Sequence, residues 1–200
     1  DLSSSSRTEY RATDNDIENH RISLRLIKEG KYKQARDVLQ DSFNKSNFNI
    51  YLASTMSQIY WLDNKKNEAR SILEDVLSIY PNKSILIQLA VYNIKDRIKL
   101  EENINLIERV IKNTPYNPEL YKLLAEGYTI KNNIYKSKLA LVNYYNLKGN
   151  MAMAFKVIDD TAQSRKLNPY QKNYLKQLKN SILCSSNPPL EPIFGNKTCN

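Results

Sequence analysis

Few residues of this chain could do chemistry. It holds one histidine, His20, and two cysteines, Cys184 and Cys199. A zinc hydrolase centre needs about three protein ligands and one open position, and these three residues supply no recognisable set. His20 is followed by Arg21 and Ile22, so the H-E-x-x-H pattern is absent. The carboxylate pairs Glu74–Asp75, Glu101–Glu102 and Asp159–Asp160 could share a proton or bind a cation. Neighbouring helical residues point about 100 degrees apart, so neither member of a pair converges with the other on one atom. They read as solvated helix faces or first-turn partners of the helix dipole. There is no G-x-S-x-G, no P-loop and no G-x-G-x-x-G. The reading is therefore non-catalytic for these residues, with no cofactor and no metal.

Charge offers a second chemistry. The net charge is +9. Residues 1–120 carry 18 Lys/Arg against 17 Asp/Glu, and residues 121–200 carry 12 against 4. An excess of this kind suits an acidic partner, a membrane surface or nucleic acid. Lys172, Lys176 and Lys179 recur on one helical face, Arg165 and Lys166 precede them, and Tyr170 and Tyr174 are interleaved. Phosphates neutralised by such a set would give strongly salt-dependent binding. The competing reading, which the sequence favours, is a basic capping helix whose outer face keeps a repeat array soluble. The longest mostly apolar stretch, Ile85 to Tyr92, is interrupted by Gln88. A membrane span needs about 20 such residues, so none is expected.

Both cysteines lie at the C-terminal end, at position 184 and beyond. A disulfide in an oxidising compartment and two separate thiols both fit. A bond would pin the tail and contribute roughly 3 kcal/mol by loop entropy. The chain opens with Asp1 and shows no positively charged stretch followed by an apolar run, so it reads as a mature chain or a piece of a longer one.

These residues must be positioned by helices. Adding 34 to the residue number, step by step, connects Leu39, Leu73, Ile107 and Leu141; Leu26, Tyr60, Ile94 and Tyr128; Ile22, Met56, Ala90 and Leu124; and Phe43, Leu77, Ile111 and Tyr145. The same step from Ala35 gives Ala69, Asn103 and Ser137, small or polar, and it also connects Pro81 with Pro115. Within a period, Leu73, Val76, Leu77 and Tyr80 follow the stripe of an amphipathic helix. Turn signals at Gly30, Asn64, Asn132–Asn133 and Gly149–Asn150 separate the helices. Asn117–Pro118 and Asn168–Pro169 place a capping Asn before a Pro at the first helical position. The spacing predicts helices over 15–28, 31–44, 49–62, 65–79, 84–96, 100–113, 118–131, 134–148, 151–165 and 169–182, and no strands. Residues 1–13 read as a polar linker, 14–183 as one repeat domain and 184–200 as an irregular tail. With 4 Gly in 200 residues, far below the roughly 7% average, a loop-rich β fold is excluded.

A helix–turn–helix period of about 34 residues resembles the tetratricopeptide repeat (TPR). Tyr121-x-x-Leu124-Ala125-x-x-Tyr128 carries the match, as do Tyr60, Ala69, Leu73 and Pro81, and Gly30 with Tyr32 and Ala35. The third repeat departs from it, with Ile98 at the turn and Asn103 at the small position. At the C-terminal side, Ser137 is followed by Ala154 after only half a period, so helix 134–148 serves both the fourth repeat and a half-repeat. That arrangement is similar to the TPR domain of BepA-type periplasmic zinc metalloprotease-chaperones, over roughly residues 16–182. The resemblance implies an all-α, TPR-like α-solenoid of about four helix pairs plus a half-repeat and a capping helix. It also implies a periplasmic protein in outer-membrane protein assembly and quality control, with any catalytic domain upstream of Asp1. A free-standing cytoplasmic or secreted TPR scaffold is the alternative, and a nucleic-acid binder the third.

Stacked helix pairs leave a concave surface lined by the first helix of each pair. The repeat pattern puts His20, Tyr51, Ser54, Gln58, Trp61, Gln88, Tyr92, Lys95, Lys122 and Glu126 there, with Leu24 and Thr129. Trp61 and Tyr92 either pack between repeats or stand exposed as binding anchors, and the sequence favours exposure. One TPR sub-type clamps a carboxylate with Lys and Asn; His20, Leu24, Thr55, Ile85 and Leu89 at the corresponding positions cannot do so. A segment of a protein or peptide client is the expected partner.

Overall fold

The stride of the sequence becomes visible as a backbone turn. The computed structural model describes residues 13–46 and 48–184, which contain ten helices and no strand. The helices are α1 (Asp14–Lys28), α2 (Tyr32–Lys45), α3 (Ile50–Leu62), α4 (Lys66–Ile79) and α5 (Lys83–Lys95), then α6 (Leu100–Asn113), α7 (Pro118–Ile130), α8 (Ile134–Leu147), α9 (Met151–Ala162) and α10 (Pro169–Cys184). Every expected helix starts within one residue of its observed start. The described residues divide into two compact units, the first ending at Tyr92 and the second beginning at Asn93. Apart from Thr13 and Cys184, the expected linker and tail lie outside the described residues.

Five turns share one geometry. A residue with left-handed φ sits at Gly30, Asn64, Arg97, Asn132 and Gly149. The next residue donates its N–H back across the turn: Lys31 to Leu26 O, Lys65 to Tyr60 O, Ile98 to Asn93 O, Asn133 to Tyr128 O and Asn150 to Tyr145 O, all at 2.8–2.9 Å. This is the Schellman closure, which satisfies orphan carbonyls at a helix end. Glycine takes the left-handed conformation without steric cost, and Asn tolerates it better than most residues. Arg97 has neither advantage, so this turn carried no local signal in the sequence. Its support comes from Asn103, whose Nδ2 donates to Ile98 O (3.2 Å) and Lys99 O (2.9 Å). Asn103 thus departs from the small-residue column because its amide ties down a turn built without glycine.

The turns at Gly30, Asn64, Arg97 and Asn132 keep the repeat stride to within one position, and the turn at Gly149 follows after half of it. Helix α8 accordingly packs on α7 before it and on α9 after it. The small-residue column is buried throughout, at Ala35, Ala69, Asn103, Ser137 and Ala154. In the first unit Leu26, Leu39, Leu52, Met56 and Ile59 form one apolar cluster, and Ala53, Leu73, Val76, Ile85 and Tyr92 another. In the second, Val142, Ala154, Val157, Ile158, Leu175, Leu178 and Ile182 unite α8, α9 and α10.

Helix ends follow side-chain chemistry. At α1, Thr13 and Asp16 form a capping box. Asp16 is 3% exposed; its carboxylate accepts from Thr13 N (3.0 Å), Thr13 Oγ1 (2.6 Å) and, across to α2, Ser42 Oγ (2.7 Å). Those bonds make a buried carboxylate tolerable. Asn117 caps α7 ahead of Pro118, its Oδ1 accepting from Glu119 N. Asn168 and Gln171 cap each other's N–H at α10. Helix α9 ends at Ala162, short of the expected 165. Thr161 Oγ1 turns back to Val157 O (2.5 Å) and Ser164 Oγ accepts from Lys166 N (3.3 Å), and such local bonds compete with the helical ladder.

Gly127 tests packing against propensity. A Cβ there would lie 2.9 Å from Ile104 Cγ1 and 3.3 Å from Ile104 Cδ1, and Ile104 is buried. Alanine in a helix gains about 1 kcal/mol over glycine, whereas overpacking a core costs about 1–3 kcal/mol. The β-branched Ile104 has little rotamer freedom to yield. We predict that Gly127→Ala lowers the urea midpoint; a raised midpoint would show that the α6–α7 contact relaxes freely.

Candidate functional site

Seven of the ten groove residues belong to the first unit. Helix α3 supplies Tyr51, Ser54, Gln58 and Trp61 from one face, and α1 and α5 flank it. His20 Nε2 and Thr55 Oγ1 share a 2.8 Å hydrogen bond that joins α1 to α3. Ser54 Oγ donates to Gln88 Oε1 (2.7 Å), and Gln88 Nε2 donates to Ser54 O (3.0 Å) and Tyr92 OH (3.0 Å). The Gln88 carboxamide is therefore held at both ends. Trp61 stacks on Tyr92 with ring centroids 4.0 Å apart and planes 3° from parallel. Lys66 Nζ lies over the Trp61 ring, 5.2 Å from its centroid, a cation–π contact.

One expectation is corrected here. Tyr92 is 5% exposed; the Trp61 ring covers it and Gln88 takes up its hydroxyl, so it is a support, not an open anchor. Burial raises its pKa, against the opposing hydrogen bonds from Gln88 and Ser57. Trp61 is half-buried. The exposed aromatic of this face is Tyr51, at 69%. Leu24 and Ile17 on α1 are also exposed, and Gln58 is exposed on α3. Ile17 escaped the sequence reading, although it lies one turn before His20. Thr55 and Ile85 are buried.

The other three groove residues, Lys95, Lys122 and Glu126, belong to the second unit and are exposed. The Tyr128 hydroxyl, also in that unit, donates to Glu108 Oε1 and accepts from Lys136 Nζ (3.2 Å), whose charge lies 5.0 Å from the ring centroid. Burial, the Glu108 contact and the nearby charges of Glu108 and Glu101 push its pKa upward. This polar cluster ties α6, α7 and α8 together.

The basic residues of the C-terminal helix divide. Lys179 Nζ contacts both carboxylate oxygens of Asp159 at 2.7 Å and sits over the Phe155 ring of α9. Arg165, Lys166, Lys172 and Lys176 are exposed. Tyr174 packs with Tyr135 of α8 against the shared core, and the phenols of Tyr174 and Tyr170 add to burial in raising the Tyr135 pKa. The lysine flank of α10 thus turns toward α9 and its tyrosines toward α8. Rings and charges that alternate in the sequence stand on opposite flanks of the helix. Cys184 closes α10, and Cys199 lies outside the described residues. Among the described residues, no three His, Cys, Asp or Glu side chains gather to hold a metal ion, and no helix is long and apolar enough to cross a membrane.

His20 gives this face a pH dependence. Burial lowers its pKa below 6.5. The unfolded chain then binds the proton more readily than the folded one between the folded value and 6.5, so this stabilisation is complete above 6.5 and is lost as pH falls through the folded value. As the chain's only histidine, its term is separable. We predict that unfolding free energy declines more steeply from pH 7.5 to 5.5 in the native chain than in His20→Gln; parallel profiles would contradict it.

No protein-family model matches the chain, and no curated protein matches it. Among solved structures it is similar to MamA RS-1 ArsTM double mutant, at 15% identity and a TM-score of 0.60, over 86% of this chain and 98% of that one. The likeness shows the fold: this is an all-α, TPR-like helical-repeat chain of the solenoid class.

Proposed function

We propose that this TPR-like chain is a non-catalytic interaction module that holds a segment of a partner polypeptide on the α1–α3–α5 face of its first unit. The observation that carries the reading is an exposed Tyr51 beside a pre-set polar and aromatic network of Ser54, Gln88, Tyr92 and Trp61. A ring with few rotors beside groups already fixed in place binds with little ordering cost. Helix α3 carries no charged residue, which suits an uncharged or mixed segment. Apolar Ile17 and Leu24 extend the contact area on α1.

A narrower reading is part of the same proposal. The half-period that makes α8 serve two partners supports a kinship with the TPR part of BepA-type periplasmic protease-chaperones, and hence a client in outer-membrane protein assembly. A periplasmic setting would suit an oxidised Cys184–Cys199 pair. An H-E-x-x-H domain encoded upstream of Asp1 separates this from a free-standing scaffold.

The test uses peptides selected on a random-peptide array and measured by fluorescence anisotropy. Tyr51→Ala and Trp61→Ala should each weaken binding by about tenfold, as expected for aromatic anchors, with the far-UV spectrum unchanged. Unaltered affinity in both variants would remove this face from consideration.

A further inference from the structure

His20 occupies the middle of the first-unit face. On α1 it has exposed Ile17 one turn before it and exposed Leu24 one turn after it. Opposite it on α3, Thr55 lies one turn after exposed Tyr51 and one turn before exposed Gln58. The 2.8 Å bond between His20 Nε2 and Thr55 Oγ1 joins the two rows. The ring itself is half-buried. A segment laid across Ile17, Leu24 and Tyr51 therefore covers it.

The surroundings of the ring hold little that could balance a positive charge. Helix α3 has no charged residue, and its titratable side chains are Tyr51 and Tyr60. Helix α2, which packs on both α1 and α3, buries Ala35, Leu39 and Ser42, none of which titrates. Its Tyr32 packs on the apolar cluster. Lys33, Asp37, Asp41 and Lys45 of α2 are exposed, and Arg36 lies 3.6 Å from Asp63. On α1 itself Glu18 is paired with Arg21. Asp16, one turn before His20, is held by Thr13 and Ser42. Burial accordingly lowers the His20 pKa, with no carboxylate opposing it. An imidazolium has two N–H groups to satisfy. Nε2 has Thr55, and Nδ1 has no partner among the described residues. Water serves Nδ1 while the face is open, and a bound segment displaces that water.

We infer that the first-unit face is gated by protons through His20: it holds an uncharged segment while the ring is neutral and releases it when the ring is protonated. This adds regulation to the polypeptide-binding reading of that face, on which it rests. Linkage fixes the sign. Covering the ring removes water from it, and desolvation disfavours the charged form of an imidazole. The bound chain then takes up the His20 proton less readily than the free chain does. Above 6.5 the ring is neutral in both states, and affinity does not depend on it. As pH falls through the free chain's value, affinity is lost, until the bound value is passed as well. Histidine is the side chain whose charge ordinarily changes in this range, and the chain has one.

The test selects peptides at pH 7.5 on an array of end-blocked sequences that lack Asp, Glu, Lys, Arg and His, so the probe carries no charge at any pH used. Fluorescence anisotropy of the full chain should show affinity falling by about threefold or more between pH 7.5 and 5.0. His20→Gln, whatever its affinity at pH 7.5, should vary by less than about 1.5-fold over the same interval. The Cε1–H resonance of the single histidine should titrate at a lower pH in the complex than in the free chain. An equal or higher midpoint in the complex, or parallel affinity profiles in the two chains, would overturn the inference and leave binding at this face intact. Release that only accompanies loss of the far-UV spectrum would overturn it too. Full affinity at pH 7.5 in both Tyr51→Ala and Trp61→Ala would instead defeat the reading of the face, and the gate with it.

Discussion

Everything in this chain depends on one close contact repeated at a fixed stride. A small or compact side chain at positions 35, 69, 103, 137 and 154 lets one helix approach another, and each contact is preceded by the same left-handed turn. The turn closes a helix by returning an N–H to a carbonyl one full turn back. That bond sets the direction in which the next helix departs. With the direction set, apolar residues of successive helices come together and bury an apolar core within each unit. A side chain too large at the small position, or a turn residue that refuses positive φ, would misplace every group beyond it. The place of the proposed binding face follows from this constraint. Tyr51, Ser54 and Gln58 share one side of α3 because the other side is committed to the core.

The core and the caps were legible in the sequence because they rest on residue type at regular spacing. Leu39, Leu73 and Ile107 are fully buried as their column predicts, and Asn117 and Asn168 cap the helices that follow them. What escaped depended on direction or on distant partners. Nothing local marks the turn at Arg97, because the amide that supports it comes from Asn103, in the next helix. The exposure of Tyr92 depends on the Trp61 ring that stacks on it, which no local pattern carries. The alternation of Tyr170, Lys172, Tyr174 and Lys176 suggested one mixed surface. At about 100 degrees per residue such neighbours separate, and the partners on α8 and α9 show where each went.

The half-period is where the array departs from its regular stride. A regular array gives first helices one surface. When the turn recurs after half a period, a helix that was second in its pair becomes first in the next. In the second unit α8 thus packs on α7 before it and on α9 after it.

The most direct measurement of this account is the stability of Arg97→Gly. If the third period is closed by the same left-handed turn as the others, an L side chain there costs about 1–2 kcal/mol that glycine does not, and the variant unfolds at higher urea. If Arg97 sits in an ordinary right-handed or extended turn, glycine adds only chain entropy and lowers stability by about 0.5–1 kcal/mol. A higher midpoint is the predicted result; a lower one would show that the stride breaks at the third period and would contradict the fold logic on which the proposed binding face rests.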